Sequence, residues 1–246
     1  MNALESEALR RVQSVWTQSA SHLVSLNSHL GISHKTGEDV FEIEVDRDFP
    51  DDICFKVKPV AFKLPEKATS PHNLSLFVIL QGRVTIDRPS FREGKLLQIK
   101  SFSTEVAYFR KNSSELKHVF GAHFDTAPTH VGHPAYHGQL KSYYEWYDLY
   151  KASSRVLPAN CTVIDGFGGV LSNVRIPSAH MDIFSYLLQL GADHLVTAKS
   201  SREELRTFEK LRIASLSLKG SAHLLSQFSS AVATTCLRSP HWYPIS

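Results

Sequence analysis

The spacing of apolar residues changes twice along the chain, and this change limits the fold more than any other feature. Over residues 4–30, Leu4, Ala8, Val12, Val15 and Trp16 recur at helical spacing, followed by Leu23, Leu26 and Leu30, and Gly31 stands where a helix stop is expected. A stripe of this kind predicts an amphipathic helix packed on a core. From about 39 to 140 the period falls to two. In DVFEIEVD, Phe41, Ile43 and Val45 alternate with Glu42, Glu44 and Asp46, and CFKVKPVAF sets Phe55 and Val57 between lysines. Alternation gives a strand one dry and one wet face. LSLFVILQGRVTI (74–86) is more continuous and is interrupted at Gln81-Gly82, which predicts a buried strand followed by a turn. KLLQIKSFSTEVAYFR and ELKHVFGAHFD supply further strands, and the short turns between them favour antiparallel pairing.

From 178 to about 236 helical spacing returns. Pro177-Ser178 offers a helix start with Ser178 as N-cap, and Met181, Phe184, Leu187, Leu188 and Leu195 form the stripe behind it. Ser200-Ser201-Arg202-Glu203 is a capping box for a second helix carrying Leu205, Phe208 and Leu211; Gly220 ends it, and 221–236 reads as a third. Strands first and helices later predict an α+β fold: an N-terminal helix, an antiparallel β-sheet or partial barrel, and C-terminal helices packed on it. No linker rich in Pro, Gly or Ser divides the chain, so residues 1–246 are expected to form a single domain.

Composition narrows the class. With 42% hydrophobic and 21% charged residues the chain can bury a core and is not of the disordered type. No apolar run is long enough to span a membrane. The opening MNALESEALRR lacks the apolar segment of an export signal. Cys54, Cys161 and Cys236 lie far apart without a CxxC pair, which predicts free thiols in a reducing compartment, hence a cytoplasmic location. A net charge of +3 permits a nucleic-acid or nucleotide partner without demanding one.

The chemistry is concentrated in one place. Of 13 histidines, five fall between residues 118 and 137, in HVFGAHFDTAPTHVGHPAYHGQL. On a strand over 116–125, Val119, Gly121, His123 and Asp125 share one face, and His118, Phe120, Ala122 and Phe124 the other. His123 and Asp125 then stand roughly 7 Å apart along the strand, and Gly121 leaves room for a close approach to the backbone. His130 and His133 fall on a breaker-rich loop, and PAYHGQL re-enters the sheet with His137 and Gln139 on one face. A hairpin closing in this way brings His123, Asp125, His133 and His137 together. Imidazole and carboxylate are the usual non-thiol ligands of zinc or manganese, so these four are expected to bind a divalent metal, Zn or Mn, and to activate water. Without a metal, two imidazoles can serve as general acid and base, because their pKa lies near neutrality. His118 is expected to be a packing residue.

A second cluster, Arg175, Ser178, His180 and Asp182, surrounds a predicted helix start, where free N–H groups and Arg175 suit an anion. His194 is expected to pack or hydrogen-bond. YYEWYDLY (143–150) reads as core or edge strand, and DGFGG (165–169) as a tight turn, since it lacks the lysine and spacing of a phosphate loop. No GxSxG is present.

Three functions follow. The first is a hydrolase on phosphodiesters, nuclease-like, using His123, Asp125, His133 and His137, with Tyr136, Gln139 and Arg175 positioning substrate. The alternatives are a non-catalytic subunit that docks on a protein partner, and a sensor of a small anion or nucleotide at Arg175–Asp182.

Overall fold

The computed structural model describes residues 2–45, 51–65, 75–126, 136–166, 175–178 and 181–218. The chain is α+β, as its periodicity predicts, and the sheet is open, not closed into a barrel.

Helix α1 (Ala3–Leu26) starts at a capping box in which Asn2 and Glu5 satisfy each other's backbone donors. Its stripe Ala8, Val12, Trp16, Ala20 and Leu23 is buried, as spacing requires. The helix ends four residues before the predicted stop. Asn27 is its C-cap, and Gly31 instead begins the short strand β1 (Gly31–Ile32).

The sheet follows: β2 (Phe41–Glu44), β3 (Ile53–Lys63), β4 (Ser75–Ile86), β5 (Ile99–Asn112), β6 (Glu115–Thr126), β7 (Tyr136–Leu140), β8 (Thr162–Asp165) and β9 (Arg175–Pro177). Among the described residues the order is β1-β3-β4-β5-β6-β7-β9, with β2 beside β3 and β8 beside β6. Every pairing is antiparallel except β6 with β8. The expected turn at Gln81-Gly82 does not occur, because β4 runs through it as one strand. A methyl group on Gly82 would sit 2.1 Å from the Ser103 carbonyl, so close approach of β5 explains this glycine. β2 stops at Glu44, and Val45 beyond it is exposed. A short helix, α2 (Arg88–Gly94), capped by Asp87, joins β4 to β5.

Each face of the sheet carries its own core. On one side α1, α4 (Ile183–Leu190) and α5 (Arg202–Leu216) pack over Phe55, Val78, Leu80, Val106 and their neighbours. Trp16 meets Phe41 edge-on, and Phe41 stacks on Phe184, tying α1 and α4 to β2. On the other side a smaller cluster forms over Ala61, Ile79, Ala107, Phe109 and Leu116. Its cover is the aromatic segment 143–150, which is a short helix, α3 (Trp146–Tyr150), and not an edge strand; Tyr143, Trp146 and Tyr147 are buried in it.

α4 is capped by Asp182, whose side chain accepts from the backbone N–H of Phe184 and Ser185, so the N-cap lies four residues past the predicted Ser178. A single π turn, Gly191–Leu195, extends α4. α5 begins at the capping box of Ser201 and Glu204; Leu211 is buried on its stripe, while Leu205, expected there, is exposed. The predicted end at Gly220 and the third helix lie outside the described residues, as does most of DGFGG. No helix among the described residues is long and apolar enough to cross a membrane.

Candidate functional site

Strands β6 and β7 form the hairpin that the sequence predicts. Asp125 stands directly opposite His137, and His123 opposite Gln139. On the other side of β6, Ser103 faces Asp125 and Glu105 faces His123. Residues directly opposite one another in a sheet share a face. Ser103, Glu105, His123, Asp125, His137 and Gln139 therefore share the face that also carries α3.

Their side chains meet. The Asp125 carboxylate lies between two imidazoles, with Oδ2 3.2 Å from His123 Nε2 and Oδ1 3.0 Å from His137 Nε2. His137 is buried, whereas His123 and Asp125 retain about a quarter of their side-chain exposure, 23% and 29%. The second nitrogen of His123, Nδ1, lies 3.8 Å from Glu105 Oε1, and Ser103 Oγ lies 3.4 Å from His123 Nε2. Glu105 is fixed in turn: Gln81 Nε2 donates to Oε2 at 2.7 Å and the Tyr143 hydroxyl donates to Oε1 at 3.1 Å. Tyr150 O–H donates to Gln81 Oε1 at 2.9 Å. Burial, reinforced by the Glu105 charge, pushes the Tyr143 hydroxyl far above its usual pKa, so it remains a donor. A connected polar chain thus runs from α3 across β4, β5 and β6 to β7.

Positive charge borders this chain. Lys56 stands opposite Arg83, and Arg83 opposite Ser103. Together with Glu44, Gln81 and Glu105 they line a shallow depression of about 360 Å³. Arg83 Nε pairs with Glu44 at 3.1 Å, and Lys56 is exposed.

Some expected residues take other places. Tyr136 points to the opposite face, where it is buried and stacks on Phe102, because alternation separates it from His137. His118 is fully buried, as expected of a packing residue, but on the same face as His123, not the opposite one. The register shifts between Tyr108 and Phe109, leaving Val119 without a partner residue. That extra residue returns His118 to the α3 side, against Phe109 and 3.4 Å from Asp165. Gly121 does admit a close approach, but by the chain itself: the Lys141 N–H donates to its carbonyl at 2.9 Å.

The second cluster does not assemble around an empty helix terminus. Asp182, only 4% exposed, occupies the N-terminus of α4 with its own carboxylate. The Ser178 N–H bonds to the Tyr136 carbonyl at the end of β9, and Arg175 pairs in the sheet with Gln139. His194 is half-buried on the π turn, with Nε2 3.4 Å from the Tyr108 hydroxyl and its ring tilted against the tyrosine ring, as a packing and hydrogen-bonding role predicts.

His130, His133 and His180 lie outside the described residues. Among the described residues no group of three His, Cys, Asp or Glu side chains is arranged to hold a metal ion. His123 and His137 both turn Nε2 onto Asp125, and His133, the fourth expected ligand, lies outside the described residues. Sequence reasoning passed over Ser103, Glu105, Gln81 and Tyr143. Ser103 and Glu105 stand two apart in KSFSTEVAYF, which puts them on one face of a strand without tying that face to His123; the tyrosine and glutamine carry no comparable signal. Compared with known proteins, the chain matches no protein family, no curated protein and no solved structure.

Proposed function

We propose that the chain is a hydrolase of phosphodiester bonds, nuclease-like, in which His123 and His137 act as acid and base about Asp125. The observation that carries this reading is the Asp125 carboxylate held between two imidazoles at 3.2 and 3.0 Å on a half-buried sheet face. Hydrolysis of a phosphodiester needs a proton removed from the attacking oxygen and another delivered to the leaving oxygen. Imidazoles serve both needs near neutral pH. A carboxylate between them fixes each ring and stabilises whichever one is charged. Lys56 and Arg83, the latter shared with Glu44, line the depression that reaches Ser103 and Glu105 next to His123 and offer cationic partners to a phosphodiester there.

The test is hydrolysis of single-stranded RNA, single-stranded DNA and bis(4-nitrophenyl) phosphate by the wild type and by His123→Ala and His137→Ala. Each substitution is expected to lower turnover by about 100-fold or more, the usual worth of a positioned acid or base. Undiminished turnover in both variants, or none by the wild type on any of the three substrates, overturns the reading. Activity should survive chelator. Activity lost to chelator and restored by Zn or Mn would replace the metal-free scheme with one in which His133 joins His123, Asp125 and His137 as a ligand.

A second reading has one observation in its favour. Leu205 and Ile213 are exposed eight residues apart on α5, and so on one helix face, which suits a subunit docking on a protein partner. Lysine at both positions would abolish such an association while leaving hydrolysis intact.

A further inference from the structure

We propose that Ser103 is the nucleophile of this site, with His123 as its base and Glu105 as the group that holds His123 in place. The proposal rests on the phosphodiester reading above and adds to it a covalent intermediate.

The hydroxyl, the imidazole and the carboxylate lie in the order that activation of a serine requires. Ser103 Oγ is 3.4 Å from His123 Nε2, and Nδ1 on the far side of the same ring is 3.8 Å from Glu105 Oε1. Both separations exceed the productive range of about 2.6–3.2 Å, as is common in ligand-free sites. The third member is the best anchored. Glu105 accepts from Gln81 at 2.7 Å and from Tyr143 at 3.1 Å, and Gln81 is held by Tyr150. A carboxylate so fixed can orient an imidazole and stabilise the imidazolium. β-strand alternation supplies the geometry: Ser103 and Glu105 are two residues apart on β5, and His123 stands opposite Glu105 with its ring leaning towards Ser103. Ser103 is half-buried and lines the depression that holds Lys56 and Arg83, so its oxygen is reachable by a phosphate group drawn there.

Asp125 competes with Ser103 for His123 Nε2, at 3.2 Å, but it also faces His137 at 3.0 Å. When Asp125 serves the protonated His137 alone, Nε2 is free for Ser103. The steps then balance. His123 takes the Ser103 proton as the Oγ–P bond forms, the bond from phosphorus to the leaving oxygen breaks, and His137 gives that oxygen its proton. In the second half neutral His137 takes a proton from water, the water oxygen bonds to phosphorus, the Oγ–P bond breaks, and His123 returns its proton to Ser103. The sum is a phosphodiester and water giving a phosphomonoester and an alcohol. Arg83 and Lys56 face the charge that builds on the phosphoryl oxygens in both halves. Because the nucleophile belongs to the protein, the substrate needs no 2′-hydroxyl. DNA and RNA are cut alike and no cyclic phosphate forms.

A fluorophosphonate probe reads the serine independently of any substrate, since Oγ displaces fluoride from phosphorus. The wild type should gain one adduct by intact mass, placed on Ser103 by peptide sequencing. Labelling should vanish in Ser103→Ala and slow by about tenfold in Glu105→Gln and about 100-fold in His123→Ala. The near-isosteric S103C guards against misfolding, and it should keep the wild-type melting temperature while losing phosphodiester turnover. Adduct elsewhere, or wild-type turnover in both Ser103 variants, overturns the nucleophile and leaves the histidine scheme standing. A His123-dependent adduct on Ser103 in a protein that cuts no phosphodiester supports the nucleophile and overturns the substrate class.

Discussion

Replacing Gly121 with alanine tests how tightly the site is braced from beneath. Gly121 sits in β6 two residues before His123, and its φ is not of the positive kind that excludes other residues. What forbids a side chain there is crowding. An added Cβ would lie 2.1 Å from the Lys141 carbonyl oxygen, 3.0 Å from His118 Nε2 and 3.1 Å from Tyr143 Cδ2. The nearest atom is backbone and cannot rotate away, so β6 or the chain leaving β7 must retreat by about 1 Å, the kind of strain that overpacked cores show. That retreat breaks or stretches the 2.9 Å bond from Lys141 N–H to the Gly121 carbonyl and pushes Tyr143 away from Glu105. Overpacking costs about 1–3 kcal/mol, and a clash with a backbone oxygen flanked by two buried rings places this case at the upper end. For a chain of this size the loss corresponds to a fall of about 6–12 °C in melting temperature. Thermal unfolding followed by near-ultraviolet circular dichroism suits the purpose, because Tyr143 and Trp146 have ring centroids 4.1 Å apart and share the displaced segment. Gly94→Ala is the control: at the end of α2 an added Cβ meets only the Leu96 side chain, at 3.3 Å. A Gly121→Ala protein melting within about 1 °C of the wild type, or a control falling as far, would refute the argument from crowding.

The other predictions concern charge. Burial holds the His118 pKa below its ordinary value, and Asp165 opposes the shift only in part. The unfolded chain then takes up a proton near pH 6.5 that the native state refuses, so His118 contributes to stability above that pH and the contribution is lost as pH falls towards the depressed native value. His118→Phe should flatten the fall of the urea midpoint between pH 7 and 5, and Asp165→Asn should steepen it; an unchanged profile in both counts against the assignment. Asp182→Ala removes an acceptor that caps Phe184 and Ser185 N–H, at 2.8 and 3.3 Å, and should lower stability by about 1–2 kcal/mol in urea titration. Retention of wild-type stability there would mean that the start of α4 is held by something else.

How far the fold could be read ahead of the structure depends on which interactions set each element. β3, β5 and β6 follow from the alternation along them even though both of their faces carry a core, and α1 from a stripe that packs against the same sheet. The failures have local causes. Gln81-Gly82 has the composition of a turn, yet the hydrogen bonds of two flanking strands keep β4 extended and Gly82 serves close packing. Segment 143–150 has the aromatic content of a strand, but it lays its rings over the second core as a short helix. In the site, His123, Asp125 and His137 could be placed together because a period of two and one hairpin fix their face. Glu105 and Ser103 required knowing that β5 lies beside β6 in a particular register, which alternation does not supply. His118 shows the limit most clearly. A single unpaired residue, Val119, reversed its face, and the sequence around it carries no signal for a bulge.

The polar chain also raises the question of why the second core stops where it does. Ala107, Phe109 and Ile79 continue along the same strands into Glu105, Ser103 and Gln81, so the sheet face passes from apolar to ionisable within one residue pair. Apolar side chains at Glu105, His123, Asp125 and His137 would extend the cluster beneath α3 and avoid desolvating charged groups, a loss that pairing at best offsets. Stability alone therefore does not select this arrangement. Fold specificity does not require it either, since the register of β5, β6 and β7 is already pinned by the opposite face, where Phe102, Val106, Ala122 and Tyr136 are buried. A row of titratable groups that neither stability nor register demands, anchored from α3 through Tyr143 and Tyr150 and set beside a depression bearing Lys56 and Arg83, is what the proposed acid–base chemistry requires.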